Sequence, residues 1–508
     1  MDKHRLYLDL EGVEKLAQDL AATLKQGDVL CLQGDLGAGK TTFARALIRS
    51  LLAAGDNTEI PSPTFALVQS YETERFPVSH FDFYRIGSSD EVLELGLDEA
   101  VSDGIAIIEW PEKAPEFLSS DRLTIELSEG DDEERRELVF VPHGNWDAKL
   151  ARFVAIQEFV KSAGWQDAEC RFLQGDASTR RYMRLRNGER RAVLMDAPKQ
   201  PDGPPVRDGK PYSQIAHLAE DVAPFYAVGQ ELRRIGLHAP EIFAHDLDQG
   251  LLLIEDFGDE VFGTKVSQGA DILELYRHAV DVLVTLGTYS PNAELPVVNG
   301  RNYALPVFDR EAMGIEVELL PDWYWPARKG EVISQSEREA FMSLWLDQFG
   351  VVEGNLTTIT LRDYHSPNLI LLNGSAAGVI DYQDAQRGNP AYDLVSLLQD
   401  ARLTVPEDVE RQLLDYYCEK RHAQASEVPF NEAEFRRDYA ILGAQRNTKI
   451  LGIFARLAKR DGKPGYLAHI PRIWAYVERD LSHPELSDLR GWYDRNFPPE
   501  LRHKPLEI

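Results

Sequence analysis

No run of residues in this sequence approaches the ~18 consecutive apolar residues that a membrane-spanning helix needs, and the opening segment Met1–Lys15 carries charges where a secretory leader needs an apolar core. Cysteine is scarce. The three present, Cys31, Cys170 and Cys418, lie far apart with no C-x-x-C spacing. That pattern excludes a disulfide framework and a cysteine-only zinc site. Basic charge is also short: 84 Asp and Glu against 55 Lys and Arg leave a net charge of −29. A surface of that sign repels phosphate backbones, so strong direct binding to nucleic acid or to an anionic membrane is not expected. Internal repeats and low-complexity tracts are missing as well. The expectation is a reduced, soluble protein of the cytoplasm.

What is present suits a globular chain: 508 residues, 43% hydrophobic and 27% charged. That length exceeds what one hydrophobic core supports, so two or more folding units are expected. Val13, Leu16, Ala17, Leu20 and Leu24 have helical spacing, and Val29–Leu32 reads as a buried strand. A glycine-rich turn and a helix from about Lys40, closed by Gly55, come next. Further strands are expected at Leu67–Tyr71, Val78–Phe83 and Ile105–Trp110, giving an α/β domain with a mostly parallel sheet. The charged stretch Glu129–Glu137 reads as a solvated hairpin turn. A new amphipathic helix spans Asp147–Ala163, and the domain boundary is placed between residues 146 and 147. Beyond it, strands at Arg181–Arg186, Arg191–Asp196 and Leu251–Glu255 form a strand-rich small lobe over about 165–258, with Pro198–Pro211 as a loop. Residues 259–508 read as a helical large lobe, interrupted by strands at Thr358–Leu361, Leu369–Leu372 and Val379–Asp381. This is the order of elements of a bilobal α+β kinase-like domain.

Gly34-Asp35-Leu36-Gly37-Ala38-Gly39-Lys40-Thr41 fits G-x-x-x-x-G-K-[ST], after a strand and opening a helix. Gly34, Gly37, Ala38 and Gly39 let backbone N–H groups face phosphate oxygens, with Thr42 in the same cradle; Lys40 reaches the β/γ-phosphates of ATP, and Thr41 offers a ligand to Mg²⁺. Ile105–Glu109 is an apolar strand ending in a carboxylate, suited to holding a Mg²⁺-bound water, and Asp82 is a second acidic strand end. Together GDLGAGKTTFAR, Ser62-Pro63-Thr64-Phe65, HFDFYR and IIEWPE resemble the TsaE family of ATPases in tRNA threonylcarbamoyladenosine synthesis. The resemblance implies docking on a TsaD–TsaB transferase pair, with Lys40 and Thr41 on ATP–Mg²⁺. It also implies that Asp82 and Glu109 serve metal and attacking water, and that Thr64 lies in a nucleotide-responsive loop.

A second constellation begins at Leu361-Arg362-Asp363-Tyr364-His365-Ser366-Pro367-Asn368, where Asp363 is the candidate base and Asn368, five residues later, a candidate Mg²⁺ ligand. Asp381, 13 residues after Asn368, is the expected main metal ligand. Asp393 reads as an anchor of the catalytic loop. Ser178, Arg180 and Arg181 lie where a phosphate-covering loop is expected, and Glu255 and Phe257 where the adenine-contacting hinge should fall. Val193-Leu194-Met195-Asp196 stands where kinases place a phosphate-pairing lysine, leaving Arg180, Arg181 or Lys199 as alternatives. GDASTRRYMRL, VLMDAP, LLIEDFG, LRDYHSPNL and VIDYQDAQRGNPAYDL resemble the AmgK-like anomeric kinases of the aminoglycoside-phosphotransferase branch. What the resemblance implies over about 147–508 is ATP-dependent phosphorylation of N-acetylmuramate and N-acetylglucosamine at C1. Trp323 is a candidate to stack on the sugar, with core packing as the alternative. Arg446 and Lys449 are candidates to meet the lactyl carboxylate of N-acetylmuramate.

Overall fold

A computed structural model describes residues 4–53, 55–130, 134–173, 180–426 and 428–506. The chain divides into two compact units, residues 1–197 with 243–256 and residues 198–242 with 257–508.

In the first unit the elements run β1 (His4–Leu8), α1 (Leu10–Thr23), β2 (Val29–Gln33), α2 (Lys40–Leu51), β3 (Val68–Tyr71), β4 (Val78–Asp82), α3 (Leu97–Asp103), β5 (Ile105–Glu109), β6 (Arg122–Glu129) and β7 (Arg136–His143). The Asp9 carboxylate accepts the Gly12 N–H at 2.8 Å and fixes the start of α1, whose Val13, Leu16, Ala17 and Leu20 are buried as their spacing requires. The sheet order is β1-β7-β6-β2-β5-β4-β3. Its centre, β6-β2-β5-β4, is parallel, and both edges are antiparallel. Central parallel strands are covered on both faces, which is why β4 and β5 are buried at every position. Strands β6 and β7 pair antiparallel on either side of the expected turn, of which residues 131–133 lie outside the described residues. Helix α2 ends at Leu51 rather than near Gly55, because Leu52 already takes an extended backbone.

Helix α4 (Trp146–Ser162) follows directly. Trp146, Leu150 and Phe153 pack into the core of the seven-stranded sheet. Ile156, Phe159 and Val160 pack with Met183, Leu185, Leu194 and Leu253 in a second core. That second core lies beneath a five-stranded sheet containing β8 (Glu169–Leu173), β9 (Arg181–Asn187), β10 (Arg190–Asp196) and strands Leu251–Glu255 and Ile242–Asp246.

The second unit is chiefly helical, with Ile272–Gly287, Gln335–Val352, Glu407–Ala423 and the 30-residue helix Glu432–Asp461 as its longest elements. Its hairpin pairs Leu369–Leu372 with Ala376–Val379. The second strand of that hairpin therefore lies N-terminal to the expected Val379–Asp381, and Asp381 leaves it in a left-handed conformation with φ 61°. Residues 198–211, read as a plain loop, contain the short pair Pro205–Arg207 and Lys210–Pro211. Two further short pairs, Glu294–Pro296 with Asn302–Ala304 and Thr358–Thr360 with Gln386–Gly388, have too few residues to show a period in sequence. Among the described residues no helix is long and apolar enough to cross a membrane.

Between the helices of this unit Asp480 is buried, accepting from Gln399 Nε2 at 2.8 Å. Burial pushes its carboxyl up to about 8. A folded-state value above the unfolded one means that the proton is held more tightly when folded. The resulting stability is full below about pH 4 and is lost as pH rises through about 8. From pH 6 to 9 the wild-type melting temperature is therefore expected to fall more than that of Asp480→Asn. Equal falls would remove Asp480 as the cause.

Candidate active sites

The first site lies at the C-terminal ends of β2, β4 and β5. Gly34 has φ 149°, and a Cβ there would meet the Leu127 carbonyl oxygen at 2.2 Å, so only glycine fits. Gly39, at φ 104°, turns the chain directly into α2. The loop, with Lys40, Thr41, Thr42, Ser62, Thr64, Asp82, Tyr84, Glu109 and Trp110, lines a cleft of about 270 Å³. Ala38 is buried behind it.

Lys40 Nζ donates to the Gly34 and Asp35 carbonyls at 2.7 and 2.9 Å and sits 3.8 Å over the Trp110 ring. Burial pulls its ammonium below the ordinary lysine value, opposed by Glu109, Glu112, Asp82 and Asp35. Glu109 is 2% exposed; one carboxylate oxygen accepts the Thr41 hydroxyl at 2.9 Å, and the other lies 2.9 Å from His80 Nε2. Asp82 accepts from Thr64 Oγ1 at 2.6 Å, Ser62 Oγ at 3.2 Å and the Tyr84 N–H at 2.9 Å. It therefore ties the Ser62–Thr64 loop to the end of β4. Trp110 has φ 59°, and a bulky residue held left-handed beside such a site costs of order 1–3 kcal/mol. Hard oxygen donors on Thr41 and Glu109, beside a glycine cradle of backbone N–H groups, fit a magnesium–phosphate ligand.

The second site is built within the second unit. Asp393 accepts the Leu361 N–H at 2.6 Å and the Arg362 N–H at 2.9 Å, the anchoring expected of it. Burial pushes its carboxyl up to about 7 against the pull of those two donors. Arg362 is left-handed at φ 72°, donates to the Ala216 carbonyl at 2.8 Å and pairs with fully buried Glu316. Glu316 also accepts from Lys449 Nζ at 2.7 Å and Gln445 Nε2 at 2.9 Å. Its own burial would raise its carboxyl, but Lys449 and Arg362 hold it below the usual range.

These supports present three predicted residues together. Asn368 Nδ2 donates to the Asp363 carbonyl at 2.9 Å and to Asp381 Oδ2 at 3.3 Å. Gln383 Nε2 donates to the other Asp381 oxygen at 2.9 Å. Asp363 reaches solvent from within a densely packed surround. Desolvation raises its carboxyl, and the fields of Lys449, His365, Arg362 and Arg446 overcome this, leaving it below the ordinary aspartate value. Ser366 Oγ donates to buried Asp400 at 2.6 Å, holding the same loop from the other side. The carboxylate of Asp381 with the Asn368 amide suits a hard cation.

The other candidates have their own surroundings. Arg181 pairs with Asp196 at 3.2 Å and donates to the Thr23 carbonyl at 3.3 Å. Arg180 stands just ahead of β9, Glu255 ends its strand, and Ser178 lies outside the described residues. The Phe257 ring approaches Gly378, 2.7 Å from where a Cβ would sit. Tyr324 and Trp325 are core, while Trp323 between them and Asp322 is half-buried. Arg446 is 7% exposed, and among the described residues its Nη1 has no hydrogen-bond partner. His80, Glu316, His365 and Asp400 were not singled out from sequence. His80 alone had a local signal, sharing a strand face with Asp82 two residues on.

The sequence matches the family model of the Threonylcarbamoyl adenosine biosynthesis protein TsaE over residues 8–138 and that of the Phosphotransferase enzyme family over 169–428. An N-acetylmuramate/N-acetylglucosamine kinase of Caulobacter vibrioides is 35% identical over 364 residues, 69% of this chain and 98% of the relative. One from Pseudomonas aeruginosa is 33% identical over 346 residues, 66% of this chain and 91% of the relative. A tRNA threonylcarbamoyladenosine biosynthesis protein TsaE of Rickettsia felis is 42% identical over 125 residues, 25% of this chain and 72% of the relative.

Proposed function

We propose, from a chain that belongs to the TsaE family in its first quarter and to the phosphotransferase enzyme family in the remainder, that this is a bifunctional enzyme. Its front half is an ATPase that supports tRNA threonylcarbamoyladenosine synthesis through a TsaD–TsaB-like complex. Its rear half is an ATP-dependent anomeric kinase that makes N-acetylmuramate and N-acetylglucosamine 1-phosphates in cell-wall recycling. The functional boundary is placed at residue 146, with small and large kinase lobes at about 165–258 and 259–508, and the protein acts in the cytoplasm. The observation that carries the kinase reading is Asp363, Asn368 and Asp381 joined through one set of hydrogen bonds in a chain spanning 98% of a named sugar kinase.

Asp363, kept ionised by the surrounding cations, accepts the proton of the sugar C1 hydroxyl as its oxygen bonds to the γ-phosphorus and the bond to ADP breaks. Asn368 and Asp381 would hold magnesium, which when bound draws negative charge from the phosphates. In the front half Thr41 and Glu109 would serve the same ion, Lys40 exchanges its loop carbonyls for phosphate oxygens, and Glu109 orients the attacking water. Asp82 links that cleft to Thr64, so the loop has a route by which to follow nucleotide state. Trp323 is assigned to the sugar face.

Arg446 is assigned to the lactyl carboxylate, because Lys449 is already committed to Glu316 whereas Arg446 keeps a buried N–H group unpaired among the described residues. Loss of a charge-assisted hydrogen bond is worth about 1.5–3 kcal/mol. Arg446→Ala is accordingly expected to raise KM for N-acetylmuramate at least about tenfold and to leave N-acetylglucosamine within about twofold. Phosphorus NMR of the wild-type reaction checks the assignment as a whole. A product phosphorylated away from C1, or no sugar phosphate at all, would end the sugar-kinase reading.

A further inference from the structure

We infer that His80 is a positioning residue of the front half, holding Glu109 in the orientation that ATP hydrolysis requires; this rests on the ATPase reading above. Strands β4 and β5 are parallel, with His80 opposite Ile107 and Asp82 opposite Glu109. In a parallel pair, partners project to the same face, so His80, Asp82, Ile107 and Glu109 share one side of the sheet. Ile107 lies in the core that faces α1 and α2, whereas the alternate residues Phe81 and Ile108 lie in the core on the opposite face. The alternation places the imidazole directly behind the carboxylate.

His80 is wholly buried, and its Nε2 is 2.9 Å from Glu109 Oε1. Its Nδ1 is buried without a partner among the described residues. A bare ring nitrogen aimed at a carboxylate oxygen would repel it, so the proton belongs on Nε2 and is donated to Glu109. The second oxygen, Oε2, accepts from Thr41. Glu109 is thus fixed at both oxygens, one from the strand behind it and one from the first turn of α2. Without the imidazole donor, an almost fully buried carboxylate keeps one hydrogen-bond site empty and is free to rotate toward Thr41 and the Lys40 ammonium. Outer partners that orient a ligand or a reacting carboxylate are typically worth 10–100-fold in activity or metal affinity.

The test compares His80→Gln with His80→Asn in the full chain. The glutamine amide nitrogen occupies the Nε2 position and can still donate, whereas the asparagine amide stops at the Nδ1 position. ATP hydrolysis is measured with a TsaD–TsaB complex present, and thermal melting of the same preparations reports folding. His80→Asn is expected to lower kcat about 10–100-fold with KM within threefold, and His80→Gln to stay within about fivefold of wild type. Nitrogen-15 NMR of the histidine rings should show the His80 signal, identified by its loss in the glutamine variant, as the Nε2-protonated form. Equal losses in both variants, full turnover in His80→Asn, or an Nδ1-protonated ring would each overturn the inference. A Glu109→Ala control that hydrolyses ATP normally would instead bring down the reading of Glu109 on which the inference stands.

Discussion

Asp363→Asn is expected to abolish sugar phosphorylation by the protein, while Lys40→Ala leaves it within about twofold of wild type and stops ATP hydrolysis in the front half. A positioned general base contributes on the order of 10²–10⁴-fold to rate. Asparagine fills nearly the same space as aspartate and leaves the Asn368 bond to the backbone carbonyl of residue 363 undisturbed. Fold loss therefore does not confound the result. The cationic surround that keeps Asp363 ionised sharpens the contrast, because a neutral amide cannot accept a proton at any pH. The sign matters for acidity as well. A carboxyl held below its unfolded value stays charged until pH falls through that lowered value, so loss of kinase rate between pH 7 and 5 must come from another group. Sugar phosphorylation that disappears in Lys40→Ala would refute independent active sites, and an Asp363→Asn enzyme with ordinary turnover would refute the base assignment.

Glu316→Ala is the second large effect, and it acts on stability. Glu316 is completely buried and answers both Arg362 and Lys449, two cations that are themselves mostly buried. Removing one partner from a buried ion pair typically costs about 3–5 kcal/mol, because the remaining charge has no water to return to. At that size the melting temperature should fall by roughly 5–8 °C. Arg362 would also lose one of the contacts that fix its side chain beside Asp363, so kcat should fall together with stability. Denaturant titration checks the first expectation and steady-state kinetics the second. A change below about 1 kcal/mol would show that the cluster is replaceable.

How far these sites could be read from sequence depended on distance along the chain. The phosphate cradle from Gly34 to Thr41 is a contiguous segment whose glycines answer local backbone demands, so its residues announced themselves. Asp363, Asn368 and Asp381 were legible by their spacing, since one loop and one hairpin connect them. The cluster that tunes them was not. Glu316 stands 46 residues before Arg362 in sequence, and only folding of the long helix Glu432–Asp461 brings Lys449 and Gln445 to it. Arg181 follows the loop expected over phosphate, and its partners Asp196 and the Thr23 carbonyl are likewise remote from it in sequence. The parallel centre of the front sheet was visible as unbroken apolar runs at β2 and β5. Three-residue strands such as Gln386–Gly388 are held by their neighbours and carry no pattern of their own.

Helix α4 places the two activities under a single folding constraint. Its first turns complete the interior beneath the seven-stranded sheet, and its last turns complete the interior beneath the five-stranded one. A protease or a gene break anywhere inside it would leave one fragment with a missing wall and the other with an exposed apolar stub. Dividing the two enzymes within this helix would therefore leave each descendant to rebuild the wall it had lost.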